Sequence, residues 1–204
     1  SDDGAGGLLS AHNATPITGT EGLNGYNFNE RGLKIGKRLL TYAEWCKAAY
    51  GSPQGNDADN NNAWSAVTNT GRQLTGYVAN AVSSVGCRDC VGDVWDWLDE
   101  YATNIGTIAL TGSGTFPAYD GSRAGQSYSS GNGHGSTGLW GYDTTSPFSG
   151  YGNIHEFIDY ALINLLGGGG WAHGSNCGSR TIRMDTCPWA IQANYGAHLG
   201  CDGT

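Results

Sequence analysis

The sequence contains few basic residues, few Leu, Ile, Val and Phe residues, and no long hydrophobic run. Lys and Arg together number ten of 204 residues, seven of them at or before Arg88, and the formal net charge is −8. Nucleic-acid-binding proteins need a basic patch, often with interleaved aromatic residues, so we expect no nucleic-acid partner. The same shortage of positive charge disfavours binding to anionic membrane surfaces.

No stretch of eighteen apolar residues occurs, so we expect no segment that inserts into a membrane. The first residues, SDDGAGGLLSAHNATP, lack both a basic segment and a hydrophobic segment, so we expect no signal peptide there. Export by another route and assembly into a particle are both compatible with the sequence.

Aromatic residues and glycine are abundant instead. The scarcity of aliphatic residues by itself would indicate disorder. Seven Trp and eleven Tyr spread along the chain argue against disorder, because each ring buries a large area. Gly accounts for 35 of the 204 residues, well above the usual share of about 7%. We therefore expect one folded domain with an aromatic core and long Gly-rich connections.

The cysteines do not form a recognisable metal motif. Six are present: Cys46, Cys87, Cys90, Cys177, Cys187 and Cys201. The pair Cys87 and Cys90 is spaced as half of a zinc site, but a second pair at similar spacing is missing. Redox catalysis is disfavoured because no βαβ pattern surrounds the pair. We expect buried thiols or one disulfide, with no metal and no cofactor.

The first half of the chain contains one clear helix. Residues 1–32 show little periodicity and predict an extended or partly ordered N-terminal arm, followed by a domain over residues 33–204. Thr41 and Glu44 have capping-box spacing, and the apolar residues that follow recur at helical spacing until Gly51. The acidic loop over 57–68 resembles a calcium loop but lacks the required Gly and Glu, which indicates a solvated turn.

The remainder predicts an α+β fold, with a small, irregular, mainly antiparallel sheet and two helices. Residues 72–85 fit a second helix, residues 94–101 a strand or a tight aromatic segment, and residues 111–152 an extended loop region with short strands. The apolar stretch that begins at Asn153 fits either a helix or a buried strand. Two or three short strands are expected after Trp171.

Two blocks carry a resemblance to a known family. The block GCRDCVGDVWDW, residues 86–97, resembles the G-x-x-D-x-x-G-N-V-W-E-W signature of C-type lectin folds of the formylglycine-generating-enzyme type. In it Asp93 stands for Asn and Asp96 for Glu. The second block, residues 167–203, resembles the variable region of proteins diversified by retroelements, with a pattern like G-G-x-W, G-x-R, P-W and G-A-R. His198 stands in place of the last Arg.

The resemblance implies a C-type lectin-like domain whose variable region covers about 167–200. It further implies that adenines in Asn codons are copied with errors, and such codons cannot yield Trp, Met or Gln. The rings and glycines are then the fixed scaffold: Trp95, Trp97, Trp171, Gly174, Gly178, Arg180, Pro188, Trp189 and Gly196. The variable, ligand-binding positions are Gly170, Ala172, His173, Asn176, Thr181, Arg183, Asp185, Thr186, Ala190, Ile191, Asn194, Tyr195 and His198. Large rings hold backbone shape while the residues between them change, as in an adaptable binding surface.

The function implied is binding to a protein or glycan ligand on another cell or particle, from a virion surface or a cell surface, and not catalysis. Formylglycine-generating enzymes use a closely spaced late cysteine pair, whereas Cys177 and Cys187 are ten positions apart. Calcium-dependent sugar binding requires E-P-N or Q-P-D and W-N-D strings, which do not occur. A formylglycine-generating-type enzyme and a structural particle component remain the alternatives.

Overall fold

The computed structural model describes residues 3–52, 71–103, 126–128, 154–156, 162–172, 177–184 and 186–201. A 3-10 helix covers Gly19–Glu21, and two α-helices follow, α1 over Gly25–Leu33 and α2 over Tyr42–Ala49. The strands are β1 Arg38–Leu39, β2 Trp95–Thr103, β3 Gln126–Tyr128, β4 Ile154–Glu156, β5 Leu162–Gly168, β6 Gly178–Met184, β7 Tyr195–Gly196 and β8 Leu199–Gly200. The predicted calcium-like loop over 57–68 lies outside the described residues, as does most of 111–152.

The N-terminal segment is folded into the core, so the prediction of an extended or partly ordered arm is wrong. Helix α1 begins with a capping box in which the side chains of Asn24 and Asn27 each accept a backbone hydrogen bond from the other residue. Phe28 on this helix is only 1% exposed and packs with Trp95 and Trp97. The boundary expected between residues 32 and 33 falls inside α1.

Helix α2 is confirmed as the sequence predicts it. The Thr41 side chain accepts a hydrogen bond from the Glu44 backbone, and the Glu44 carboxylate accepts one from the Thr41 backbone at 3.0 Å. Burial of Tyr42, Trp45 and Ala49 gives the helix one apolar face. That face packs on the sheet, where Trp45 lies against the backbone of β5.

Residues 72–85 do not form the predicted helix. Gly76 has a φ of +75°, and isolated three-residue turns replace the helical hydrogen bonds, as from the Ala81 N–H to the Val78 carbonyl. Val85 and Leu74, near the two ends of this stretch, are exposed. A single Gly in the left-handed region is enough to break an otherwise regular apolar pattern.

Strand β2 confirms the strand interpretation of 94–101 and lies inside the larger sheet. Trp95 and Trp97 point to one face, where Phe28 and Leu166 are buried, and Leu98 points to the other face with Trp45. Successive side chains of a strand alternate between the two faces. Because both faces are covered, the run from 95 to 98 is buried throughout.

The sheet is mixed, with six strands in the order β3-β4-β6-β5-β2-β7. Three of its five strand pairs are antiparallel, and the pairs β4–β6 and β2–β7 are parallel. The apolar stretch that fitted either a helix or a strand supplies β4 and β5. Strands β1 and β8 pair separately, which joins an early segment to the end of the described chain.

The packing of α1 predicts that the first thirty-odd residues contribute to stability. We expect Phe28→Ala to lower the free energy of unfolding by about 3–5 kcal/mol, because a buried ring is replaced by a cavity. Leu33→Ala on the same helix is the matched control, since Leu33 is 62% exposed and exposed positions usually change stability by less than about 0.5 kcal/mol. Urea unfolding measures both. Equal, small effects would show that α1 does not belong to the core.

Candidate binding surface

Arg183 is held against aromatic rings. Its guanidinium carbon lies 5.7 Å from the centroid of the Trp95 ring and 5.7 Å from that of the Tyr195 ring. At this separation a cation is attracted to the faces of aromatic rings. Tyr195 in turn meets Trp97 edge to face, with ring centroids 5.3 Å apart. The buried rings of Trp95 on β2 and Tyr195 on β7 thus position a half-buried positive charge.

Other predicted binding positions collect around the same Trp95 ring. A Cβ placed on Gly170 would lie 3.2 Å from the ring and 3.3 Å from the side-chain amide of Asn194. The Asn194 carbonyl accepts a hydrogen bond from the Trp95 N–H at 2.7 Å. The hydroxyl of Thr186 lies 3.3 Å from that of Tyr195. Positions that are distant in sequence therefore meet at one place.

Residues 186–195 are fixed to the N-terminal segment by backbone hydrogen bonds. The Gly25 N–H donates to the Pro188 carbonyl at 2.9 Å, and the Gly19 N–H donates to the Gln192 carbonyl at 3.0 Å. Each residue that has a backbone N–H and carbonyl can make such bonds, whatever its side chain. Exposed side chains between these anchors can therefore change while the path of the backbone is kept.

The two anchoring glycines are functional residues that the sequence reasoning missed. A Cβ on Gly19 would lie 2.4 Å from the backbone of Gln192, and a Cβ on Gly25 would lie 2.6 Å from the Asn164 side-chain oxygen. Any larger residue would push the segments apart. The only local signal was the capping sequence at the start of α1, since a close approach between distant segments leaves no periodic pattern.

The predicted ligand-binding positions divide into three groups by burial. Ala172 and Ile191 are exposed, whereas Arg183, Ala190, Asn194 and His198 are half-buried. Gly170, Thr181, Thr186 and Tyr195 are buried, so no side chain at these four positions reaches solvent. For these four, direct contact with a ligand is corrected to support from beneath. His173, Asn176 and Asp185 lie outside the described residues.

Most of the predicted scaffold lies inside, with one exception. Trp95, Trp97, Gly178, Pro188 and Gly196 are buried, and Trp171 is half-buried. Trp189 is 51% exposed, so its assignment as an interior ring is wrong. Trp189 directly follows Pro188, whose carbonyl accepts the hydrogen bond from Gly25, and about half of the Trp189 side chain is open to solvent. Gly174 lies outside the described residues, and Arg180 belongs to β6, with its side chain outside the description.

His198 is half-buried, and both nitrogens of its ring bond to other parts of the protein. Its Nδ1 lies 2.8 Å from the Asp96 carboxylate, and its Nε2 lies 2.9 Å from the Arg88 carbonyl. A carboxylate and a carbonyl can only accept, so both ring nitrogens must donate and the ring carries a positive charge. The neighbouring Asp96 carboxylate raises the pKa of His198 to about 9, against the cost of burial. This ion pair fixes the ring while 34% of the side chain stays exposed, so the expected contact of His198 with a ligand stays a prediction.

Asp93 is a buried acid next to this pair. It is 3% exposed, and burial raises its pKa to about 7, although the Gln73 N–H donates to the carboxylate at 2.8 Å. The charges of Asp89 and Asp96 raise the pKa further, and that of His198 lowers it. Its φ of +54° is a conformation that Asn and Asp adopt more readily than other side chains.

The structure offers little for metal chemistry among the residues it describes. No group of three or more His, Cys, Asp or Glu side chains in those ranges is arranged to hold an ion. All six cysteines are free thiols, and Cys177 and Cys187 are both buried. No helix in the described part of the chain has the length and hydropathy needed to cross a membrane.

Comparison with solved structures identifies proteins of the same fold. The chain superposes on the Major Tropism Determinant U1 variant with a TM-score of 0.52 at 22% identity, covering 88% of this chain and 37% of that one. The P3c variant gives a TM-score of 0.52 at 21% identity, with the same coverage. The chain thus corresponds to little more than a third of these structures. No family model and no curated protein matches the sequence.

Burial of the Asp93 carboxyl predicts that the free energy of unfolding decreases as pH rises. Substitution of Asp93 by Asn should remove this decrease. Because the folded pKa of about 7 lies above the ordinary Asp value of 3.8, the folded state binds more protons between these values, and stability falls as pH rises through that window. The slope for one such group is at most about 1.4 kcal/mol per pH unit. We expect Asp93→Asn to gain stability relative to the wild type from pH 4 to pH 7 in urea unfolding.

Glu44→Gln is the control with the opposite sign. Arg38 lowers the pKa of Glu44 to about 2. The contribution of Glu44 to folding stability is therefore lost only as pH falls from 4.5 towards that value. Between pH 5 and 7 the free energy of unfolding of Glu44→Gln should differ from that of the wild type by a constant amount. A similarly constant difference for Asp93→Asn would refute the account of Asp93.

Proposed function

We propose that this protein is a ligand-binding module, not an enzyme, which presents a diversified C-terminal surface to a protein or glycan on another cell or particle. The C-terminal surface consists of the exposed and half-buried side chains of Ala172, Arg183, Trp189, Ala190, Ile191 and Asn194. The observation that carries this proposal is the anchoring of residues 186–195 through the backbone carbonyls of Pro188 and Gln192, because these bonds do not depend on side-chain identity.

The composition of this surface suits recognition of another macromolecule. Trp189 is 51% and Ile191 is 53% exposed, and Asn194 is half-buried. Large apolar side chains grouped on a surface are typical of interaction sites. Trp and Arg are the residues that most often dominate binding energy at interfaces, and Arg183 is already positioned by two rings.

The likeness in fold supports the same proposal. Its structural neighbours are named as determinants of tropism, that is, of the target selected, and as several variants of one protein. We propose that the shared architecture is a C-type lectin fold of the formylglycine-generating-enzyme type and that a retroelement diversifies this chain. Display on a virion or a cell surface fits such a role.

Under this proposal the predicted variable positions have different roles, some in direct contact with the ligand and others in support of the contacting side chains. His173, Asn176 and Asp185 stay in the proposed ligand-binding set. The buried residues Thr181, Thr186 and Tyr195, together with Gly170, would tune the surface from beneath, because a change there alters how Arg183 and Asn194 are supported. His198 stays in the ligand-binding set as well, with its ring held by the ion pair with Asp96.

The DNA beside the gene tests the retroelement directly. We expect a reverse-transcriptase gene next to a near-copy of the region that encodes residues 167–203, differing from it mainly at adenines. An incubation with a cysteine-containing peptide tests the enzyme alternative, and we expect no formylglycine to form. A flanking region without such a repeat would refute diversification, and product formation would refute a purely binding role.

Charge introduced on the C-terminal surface should abolish binding without unfolding the protein. We expect the double variant Ala172→Asp/Ile191→Asp to change the free energy of unfolding by less than about 1 kcal/mol, as is usual for two exposed positions. Binding to any ligand found on arrays of glycans and extracellular protein domains should fall at least about tenfold. Leu33→Asp/Val85→Asp is the matched control, since both residues are exposed elsewhere. Equal loss of binding in both variants would contradict the assignment.

A display library tests the surface without knowledge of the natural ligand. Positions 172, 189, 190, 191 and 194 are randomised and the library is selected against lysozyme, with a second library randomised at the exposed residues 33, 50, 77 and 85. We expect most members of the first library to fold, as judged by display level, and binders to emerge from it. Loss of folding in most members would show that these side chains are structural.

A further inference from the structure

Cys87 and Cys90 lie together on a loop that the binding surface does not use. The Cys87 N–H donates to the Ser83 hydroxyl at 3.0 Å, and the Cys87 carbonyl accepts from the Ser83 N–H at 2.7 Å. Between the cysteines, Asp89 has a φ of +58°, which turns the chain sharply. The Cys90 thiol lies 3.8 Å from the carbonyl oxygen of Arg88, which stands between the two cysteines, and both cysteines line one cavity.

The two thiols differ in access. Cys90 is only 1% exposed, with its carbonyl packed against Gly168, whereas Cys87 is half-buried. Both line a cavity of about 590 Å³, which Leu8 and His12 of the N-terminal segment also line. A small molecule that enters this cavity meets Cys87 as the outer thiol, with Cys90 behind it as the inner one.

A fixed positive charge lies beside the loop. The Nε2–H of His198 donates to the carbonyl of Arg88, which stands between the two cysteines, while Nδ1–H donates to Asp96. With both ring nitrogens donating, the imidazolium contacts the backbone between the two cysteines and lines the same cavity as Cys87. Positive charge and a neighbouring thiol are the two features that favour a thiolate in Cys-x-x-Cys pairs.

We propose that Cys87 and Cys90 form a thiol–disulfide exchange site whose co-substrate is a low-molecular-weight disulfide that enters the cavity. The Cys87 thiolate attacks one sulfur of the disulfide R–S–S–R, and the S–S bond breaks to release RS⁻, which is protonated to RSH. Cys90 then loses its proton to solvent and attacks the Cys87 sulfur of the mixed disulfide. A second RSH leaves, so two electrons pass from the cysteines to the small disulfide.

The ionisation of the two thiols supports this order of attack. The hydrogen bond from Cys90 and, secondarily, the charge of His198 lower the pKa of Cys87 to about 6. The hydrogen bond to Cys87 and burial raise the pKa of Cys90. The accessible sulfur is thus a thiolate at neutral pH, and the buried sulfur becomes nucleophilic only after Cys87 has reacted.

Treatment of the full chain with oxidised glutathione tests this site. In the wild type we expect the peptide that contains residues 87–90 to lose two hydrogen atoms and to retain no glutathione by mass spectrometry. Cys90→Ser should retain one glutathione on Cys87, and Cys87→Ser should leave Cys90 unmodified. Glutathione that stays on Cys87 in the wild type, or labelling of Cys90 first, would overturn the proposal.

Alkylation of the unaltered protein gives a test that depends on no variant. With iodoacetamide at pH 6 we expect Cys87 to react on the order of 10-fold faster than N-acetylcysteine and only a few-fold faster at pH 7, because the gain in thiolate exceeds the loss of nucleophilicity. Exposed Cys201 reports access to reagent in the same sample. A Cys87 rate equal to or below that of N-acetylcysteine at pH 6 would overturn the proposal.

His198 is a positioning residue in this site, and paired variants separate its charge from its packing. His198→Gln removes the charge and should move the pH profile of Cys87 alkylation to higher pH. His198→Arg keeps a cation next to the loop and should retain a profile close to that of the wild type. An unmoved profile in His198→Gln would overturn the role of His198.

Discussion

The carboxylate of Asp96 is the group on which much of this structure depends. It lies on the central strand β2, is nearly inaccessible, and accepts hydrogen bonds from the Trp45 indole at 3.0 Å and from His198 at 2.8 Å. A buried carboxylate without partners would cost several kcal/mol, so the elements that supply these partners are held in place. Helix α2, strand β2 and the turn before β8 therefore meet at one charge.

The ion pair of Asp96 and His198 also contacts the loop that contains Cys87 and Cys90. His198 bonds to Asp96 through one nitrogen and to the Arg88 carbonyl through the other, so the loop of Cys87 and Cys90 is tied to the C-terminal segment. A charge that is needed for packing is thereby also placed beside the loop of the two thiols.

The C-terminal surface depends on a different kind of bond. Its segment is fixed by backbone hydrogen bonds to Gly19 and Gly25 and by rings packed beneath it. Side chains that hold no structural bond can be exchanged at small cost, whereas the glycines and rings cannot. The proposed binding surface, whose side chains would change, requires a constrained frame, and the abundant glycines and aromatic rings of this chain suit such a frame.

Local sequence patterns determined α2, strand β2 and the aromatic core, because capping spacing and the alternation of large rings act within a few residues. Tertiary structure decided the rest. It folded residues before Leu33 into the core and paired His198 with Asp96. Each of these depends on contacts between distant segments, such as Gly25 against Pro188, which no periodicity along the chain encodes.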